Sequence, residues 1–340
     1  MRELLARLAD LYGASGREQD LVSEIREEFK QTADEVSIDK FGNVIATKRG
    51  SGDLSVMLAA HMDEIGLAVE KVDGDGFAFP SNVGGWNPQI LPSNPLRGNK
   101  CWGIASISPL GLLDKEEKKK AIKSEDLFID GDNFSSGDFL VQDSSTATLG
   151  NPNLLVGKSF DDRAGVAVLI KILRELSDDL EIDIYGVATV QEEVGARGAG
   201  MAAYKLDPDL GLVLEVALAD DVPMNEPHTP VVRLGKGPAI TVKDASMISH
   251  PGLTNFLIKV AEEREIPHQL EILERGGTDA GRIHISREGV PSSVIGIPTR
   301  YLHSPVEVLD LRDLERVVEL VTSALEGLTK PKFEAFFQTS

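Results

Sequence analysis

Apolar residues recur along this chain with two different periods, and the change between them divides it. Leu4, Leu5, Leu8 and Leu11 fall at helical spacing with Arg2, Glu3 and Arg7 between them, so residues 1–13 read as an amphipathic helix. Ser15 followed by Glu18 has the spacing of a capping box, and Leu21, Val22, Ile25 and Phe29 make one stripe of a second helix. Val36 and Ile38 alternate with polar residues, Phe41-Gly42-Asn43 supplies a turn, and residues 44–47 resume extended structure, which predicts a hairpin. Residues 55–60 form a short apolar run suited to a buried strand, ending in His61-Met62-Asp63-Glu64.

From about residue 65 to residue 157 helical periodicity nearly vanishes. Short strand-like pieces are broken by Gly74, Gly76, Gly84, Gly85, Pro88, Pro92, Pro95 and Gly131, which predicts a small β-rich module, with residues 114–123 as a charged, solvated loop. After Phe160 helices and strands alternate. A helix carries Val166, Leu169, Ile170 and Leu173; strands follow at 182–190 and 211–216; a helix spans 253–263, and further strands lie at 270–273 and 293–297. A last amphipathic helix carries Leu314, Val317, Val318, Val321 and Leu325. This order predicts an α/β fold with a mainly parallel sheet covered by helices on both faces, whose site lies at the carboxyl ends of its strands. Residues 1–65 and 157–340 would form that domain, with 66–156 inserted in it.

The 340 residues suit two domains, and 41% hydrophobic with 26% charged residues permits a sizeable core. A formal charge of -20, from 35 basic and 55 acidic residues, disfavours nucleic acid and anionic membrane as partners and favours cations. Cys101 is the single cysteine, so no internal disulfide forms, and a reducing, cytoplasmic setting is expected. No apolar run approaches the ~18 residues of a membrane span, and the start lacks the pattern of a cleaved leader.

Polar residues cluster where the predicted strands end: His61 with Asp63, Asp161 with Asp162, Glu192 with Glu193, then Glu215 and His303. Singly, each has a plainer explanation. Asp161-Asp162 could cap a helix, His303 could be a turn histidine before Ser304-Pro305, and Glu192-Glu193 could be surface charge. The glycines 195, 198 and 200 do not have the spacing of a nucleotide loop. Together, two histidines and several carboxylates gathered at the ends of one sheet point to divalent metal. A metal pair would need one bridging carboxylate, with a histidine and a further carboxylate for each ion. Successive side chains diverge at a strand end, so one of Glu192 and Glu193 can be a ligand while the other faces the reacting water.

The strings AHMDEIG from residue 60, SFDDRAG from 159, QEEVG from 191, GGTDAG from 276 and RYLHSP from 300 resemble the tetrahedral (TET) aminopeptidases, metallopeptidase family forty-two, in order over nearly the whole chain. That family includes glutamyl and leucyl aminopeptidases and proteins once labelled endoglucanases. The resemblance implies a zinc-exopeptidase-like catalytic domain with a small β-barrel-like dimerisation domain inserted at 66–156. It implies two divalent ions per chain, zinc or cobalt first and manganese as a further candidate. His61, Asp161 and Glu215 would hold one ion and Asp161, Glu193 and His303 the other, with Asp161 bridging. Asp63 would orient His61, Glu192 would be the general base, and a cis peptide would join Asp161 to Asp162. Peptides would be the substrates and a homo-oligomer, a dodecamer built from dimers, the assembly. The family usually has aspartate where Glu215 stands, which bears on metal geometry and on amine preference. Arg282 could favour acidic side chains, or serve a structural ion pair. Other readings are a related carboxypeptidase or N-acyl deacylase, or a metal-binding scaffold without catalysis. An endoglucanase is disfavoured, since glycosidases need no histidine pair and only 5% of residues are aromatic.

Overall fold

The computed structural model describes residues 1–109, 111–224, 229 and 231–338. Helices α1 (Arg2–Ala9) and α2 (Gln19–Phe29) precede a hairpin of β1 (Glu35–Ile38) and β2 (Val44–Lys48), then the buried strand β3 (Leu54–His61). A closed barrel follows, made of β4 (Gly66–Val72), β5 (Ala78–Val83), β6 (Pro95–Arg97), β7 (Trp102–Ser106), β8 (Phe128–Asp132) and β9 (Phe139–Gln142). The chain returns through β10 (Ala147–Thr148) and β11 (Leu154–Gly157) to α3 (Phe160–Glu175), β12 (Ile182–Thr189), α4 (Arg197–Leu206) and β13 (Leu210–Leu218). It continues with β14 (Ala239–Lys243), α5 (Pro251–Glu263), β15 (Gln269–Ile272) and α6 (Ala280–Ile283). Last come β16 (Ser292–Arg300), β17 (Glu307–Asp310), α7 (Leu311–Gly327) and α8 (Lys330–Ala335). Among the described residues no helix is long and apolar enough to cross a membrane.

Among the described residues the main sheet has 11 strands, and its centre, in the order β12-β3-β13-β16, is parallel. Its flanks are antiparallel, with β1 and β2 on one side and β17, β11 and β10 on the other. The barrel strands therefore occupy 66–142, while the segments at 147–157 belong to the main sheet. Alternation along β3 sorts its side chains between two faces. Val56, Leu58 and Ala60 join the large core under α1, α2, α3, α5 and α7, and Met57 and Ala59 join a second core with Ala199, Ala202 and Ala203 of α4. Helix α4 escapes the sequence pattern because it packs small residues: a Cβ at Gly198 would sit 2.4 Å from Asn43 Oδ1.

The capping box expected at Ser15 and Glu18 does not form. The Ser15 hydroxyl donates instead to Asp63 Oδ2 at 2.5 Å, Glu18 accepts from the Gly16 and Gln191 amides, and α2 starts without a side-chain cap. Tertiary partners at the ends of β3 and β12 outcompete the local bond.

Behind the strand ends lies a buried ionic cluster. Lys158 Nζ is 2.7 Å from both Glu64 oxygens and donates to the Leu11 carbonyl; the Arg163 guanidinium reaches Glu64 at 3.2 Å and the Leu8 carbonyl at 2.8 Å. Burial pulls the Lys158 ammonium down to about 8 against the opposing charge of Glu64. The cluster ties the last carbonyls of α1 to the start of α3. Removing one partner of a buried pair strands the other charges and costs about 3 kcal/mol or more. Glu64→Gln should therefore lower the calorimetric melting temperature by several degrees, whereas Glu27→Gln, which breaks only the exposed pair with Lys30, should leave it unchanged.

Candidate metal centre

β3 delivers His61 at its carboxyl end, opposite Thr189 at the end of β12, and β13, on the other side of β3, carries Glu215. The connections diverge around β3, since the chain leaves β12 on one side of it and returns as β13 on the other. Such a switch point opens a crevice at the strand ends. Glu192 and Glu193 follow β12, His303 follows β16, and Asp161 stands at the start of α3. The Asp161-Asp162 peptide is cis, and both residues depart from helical angles. Asp162 Oδ1 accepts from the Gly165 amide at 2.9 Å and Oδ2 from the His61 amide at 3.3 Å. A Cβ at Gly165 would lie 2.3 Å from that carboxylate.

Among the described residues two ligand-like groups result, His61 with Asp161 and Glu215, and Asp161 with Glu193 and His303. His61 Nε2 lies 3.0 Å from Asp161 Oδ1 and 3.6 Å from Glu215 Oε1. His303 Nε2 lies 3.3 Å from Asp161 Oδ2 and 3.4 Å from Glu193 Oε2. The longer arm of Glu215 thus reaches the site, while its Oε1 also accepts from the Val216 amide. Each histidine donates Nδ1–H to a carbonyl, His61 to that of Asp63 at 3.1 Å and His303 to that of Gly85 at 3.2 Å. The Asp63 carboxylate lies 3.5 Å from the same Nδ1, a little farther than its carbonyl.

These residues fit divalent metal. With Nδ1 donating, each Nε2 faces a carboxylate oxygen and can share either a proton or a divalent cation with it. Donors about 2.1 Å from one cation stand about 3 to 3.5 Å apart, the spacing found here. Burial, reinforced by neighbouring carboxylates, pushes Glu193 up to about 8 and raises Glu215, Glu192 and Asp162 well above the usual range. Burial acts against the charged imidazoles, yet the surrounding carboxylates raise His61 and carry His303 to about 10. Burial likewise opposes the Asp161 anion, but hydrogen bonds from the two histidines hold its carboxyl below the ordinary value. Raised carboxyls and raised imidazoles alike mark a crowd of buried carboxylates that favours added positive charge.

The centre opens into a cavity of about 820 Å³, within the range of small-molecule sites. Glu192 lines it with Val216, Leu218, Leu273 and Leu302, and so do Arg275 and Arg282. Arg282 Nε donates to the Gly195 carbonyl. Sequence reasoning passed over several supporting residues. Glu307, four residues beyond His303, accepts from the backbone amides of both Asp161 (3.0 Å) and His303 (3.1 Å), and burial with the nearby Asp161 charge pushes it up to about 8. Asp279, of the GGTDAG string, is buried and accepts from the Thr189 hydroxyl. Carboxylates in a β-strand or after a glycine run carry no local signal of such roles.

A family model described as M42 glutamyl aminopeptidase matches residues 42–320. The chain is 36% identical to a lysyl aminopeptidase of Pyrococcus furiosus over 350 residues, covering 97% of this chain and 98% of the relative. Among solved structures it is similar to a TET aminopeptidase from a marine-sediment Thaumarchaeota archaeon, at 38% identity and a TM-score of 0.94 with 98% of each chain covered. It is also similar to the Pyrococcus horikoshii TET1 peptidase, which can assemble into a tetrahedron or a large octahedral shell, at 30% identity and a TM-score of 0.85, covering 96% of this chain and 99% of that one.

Because Glu307 grips the backbone under Asp161 and His303 at once, Glu307→Ala should loosen the Asp161, Glu193 and His303 group without removing any of their side chains. Metal affinity, read by chelator competition, is expected to fall by about 10-fold to 100-fold, the usual effect of losing an outer support. Unchanged affinity would show that the ligands hold their places without it.

Proposed function

This chain belongs to the M42 glutamyl aminopeptidase family, and from that premise we propose how its own residues divide the hydrolysis of an N-terminal peptide bond. The observation that carries the reading is the division of Asp161 between the two histidines, one carboxylate oxygen to each. Asp161 would then be shared by two divalent cations, with His61 and Glu215 completing one ligand set and Glu193 and His303 the other. The mixed imidazole and carboxylate donors suit zinc or cobalt, with manganese a further candidate. Bound there, the cations would polarise the scissile carbonyl and bring the pKa of the attacking water toward neutrality. Glu192, on the cavity wall, takes the proton of that water and returns it to the leaving amine. Asp63 keeps His61 and the backbone of Glu192 in register.

Apolar walls at Val216, Leu218 and Leu302 accept the aliphatic part of a first residue, and Arg275 and Arg282 favour one that ends in a carboxylate. The barrel is the dimerisation module in this reading, with Trp102 and Ile104 exposed two residues apart on β7 as contact candidates. Dimers then build a large homo-oligomer, probed by its mass, in the cytoplasm that the lone cysteine suits. Light scattering should give a mass many times that of the 36.7 kDa chain, and a monomer at micromolar concentration would exclude the assembly.

Base and ligand are separated by two conservative variants assayed on glutamyl and lysyl p-nitroanilides. Glu192→Gln keeps size but cannot take a proton, so both ions stay, KM changes little and kcat falls by about 100-fold or more. Glu193→Gln replaces an anionic donor by an amide and loses metal first. The glutamyl substrate should show the lower KM in the parent enzyme. Metal loss from Glu192→Gln with retention in Glu193→Gln would exchange the two roles, and full kcat in Glu192→Gln would end the mechanism.

A further inference from the structure

The segment that carries Glu192 and Glu193 is held by an unusual set of bonds. Four consecutive backbone amides after β12 each donate to a side-chain oxygen from elsewhere in the chain. Val190 N donates to Asn43 Oδ1 at 3.0 Å, Gln191 N to Glu18 Oε1 at 3.3 Å, Glu192 N to Asp63 Oδ1 at 2.9 Å and Glu193 N to Asp63 Oδ2 at 3.3 Å. A regular strand would bond its amides to a neighbouring strand, and a helix would leave its first amides to one cap. Here the backbone does neither, and Gln191 adopts a φ of +57°, which its own side chain does not favour.

Each acceptor is itself braced. Asn43 donates through Nδ2 to the Gly198 carbonyl at 2.9 Å and to Asp39 at 2.7 Å. Asp63 is fully buried and accepts from Ser15. Glu18, 5% exposed, accepts from the Gly16 amide at 2.7 Å with the same Oε1 that takes Gln191. Glu18 makes no ion pair among the described residues. A carboxylate buried without a cation is costly, and these backbone amides are what its position provides.

We propose that Glu18 is a positioning residue for peptide hydrolysis: it fixes the turn at Gln191 and thereby aims Glu192 into the cavity while Glu193 faces His303. The inference rests on Glu192 being the general base. Glu18 does not line the cavity and bonds to the Gly16 and Gln191 amides, so its effect is on geometry at the base, where small displacements are expensive in rate. Misplacement by about 1 Å can cost about 100-fold.

The test uses full-length, metal-loaded enzyme carrying Glu18→Ala, Glu18→Gln, Glu192→Gln, and the Glu18→Ala/Glu192→Gln double variant. Glu18→Ala should lose about tenfold or more in kcat with KM nearly unchanged and metal content intact. In hydrogen exchange read by mass spectrometry, the peptide spanning 190–193 should exchange faster while the α3 and β13 peptides do not. Glu18→Gln keeps an acceptor oxygen and should recover most of both. In the Glu192→Gln background the Glu18→Ala loss should largely vanish, because both variants act through one group. A loss undiminished in that background would overturn the positioning role and leave the base reading intact. Unaltered kcat in Glu18→Ala, metal loss in proportion to activity, or no recovery in Glu18→Gln would overturn it as well. Full kcat in Glu192→Gln alone would remove the base reading, a failure separate from these.

Discussion

One carboxylate, that of Asp161, stands between two imidazoles, 3.0 Å from His61 on one oxygen and 3.3 Å from His303 on the other. Glu193, Glu215 and Asp162 crowd the same space, and each repels it. Such a gathering of buried anions is unfavourable unless the backbone leaves the side chains nowhere else to go and cations complete the site. Much of the surrounding structure answers the first requirement. Parallel strands deliver His61 and Glu215 side by side, and Glu307 holds the backbone of Asp161 and His303 together.

Charge is layered around this centre. At the end of β3, Asp63 faces the active-site loop and accepts from its amides, while Glu64, the next residue, turns to Lys158 and Arg163 behind it. The buried cations Lys158 and Arg163 thus serve the scaffold on one side and make no ion pair with Asp161, Glu193 or Glu215 on the other. A lysine reaching Asp161 would compete with metal for the same oxygens. Among the described residues the arrangement leaves the imidazoles as the positive groups of the centre.

The barrel is not merely appended. It leaves the main sheet just past β3, and the Gly85 carbonyl, in the loop after β5, takes the Nδ1–H of His303. A Cβ at Gly85 would lie 2.7 Å from that ring nitrogen, so glycine is required by the close approach. The orientation of His303 therefore depends on how the barrel sits against the main sheet.

By itself the sequence determined the alternation of helices and strands, the interruption by a β-rich segment, and the chemical types in the site. Those follow from local periodicity and from motifs short enough to read directly: HMD, DD, EE and the His303 turn. Resemblance added an order to the roles. The tertiary structure alone decided which local signals would be overruled. Ser15 and Glu18 look like a capping pair, but their oxygens and hydrogens are drawn to Asp63 and Gln191, residues 48 and 173 positions away. Asn43 looks like a turn residue and holds Val190. Helix α4 and strand β17 are short, or built from small residues, and register in no window of the sequence. Glu307 carries no motif, and its importance comes from two amides brought together by β17 and the start of α3. Ligand identity is written in residue types, whereas the positions of their supports depend on long-range packing, which no local pattern encodes.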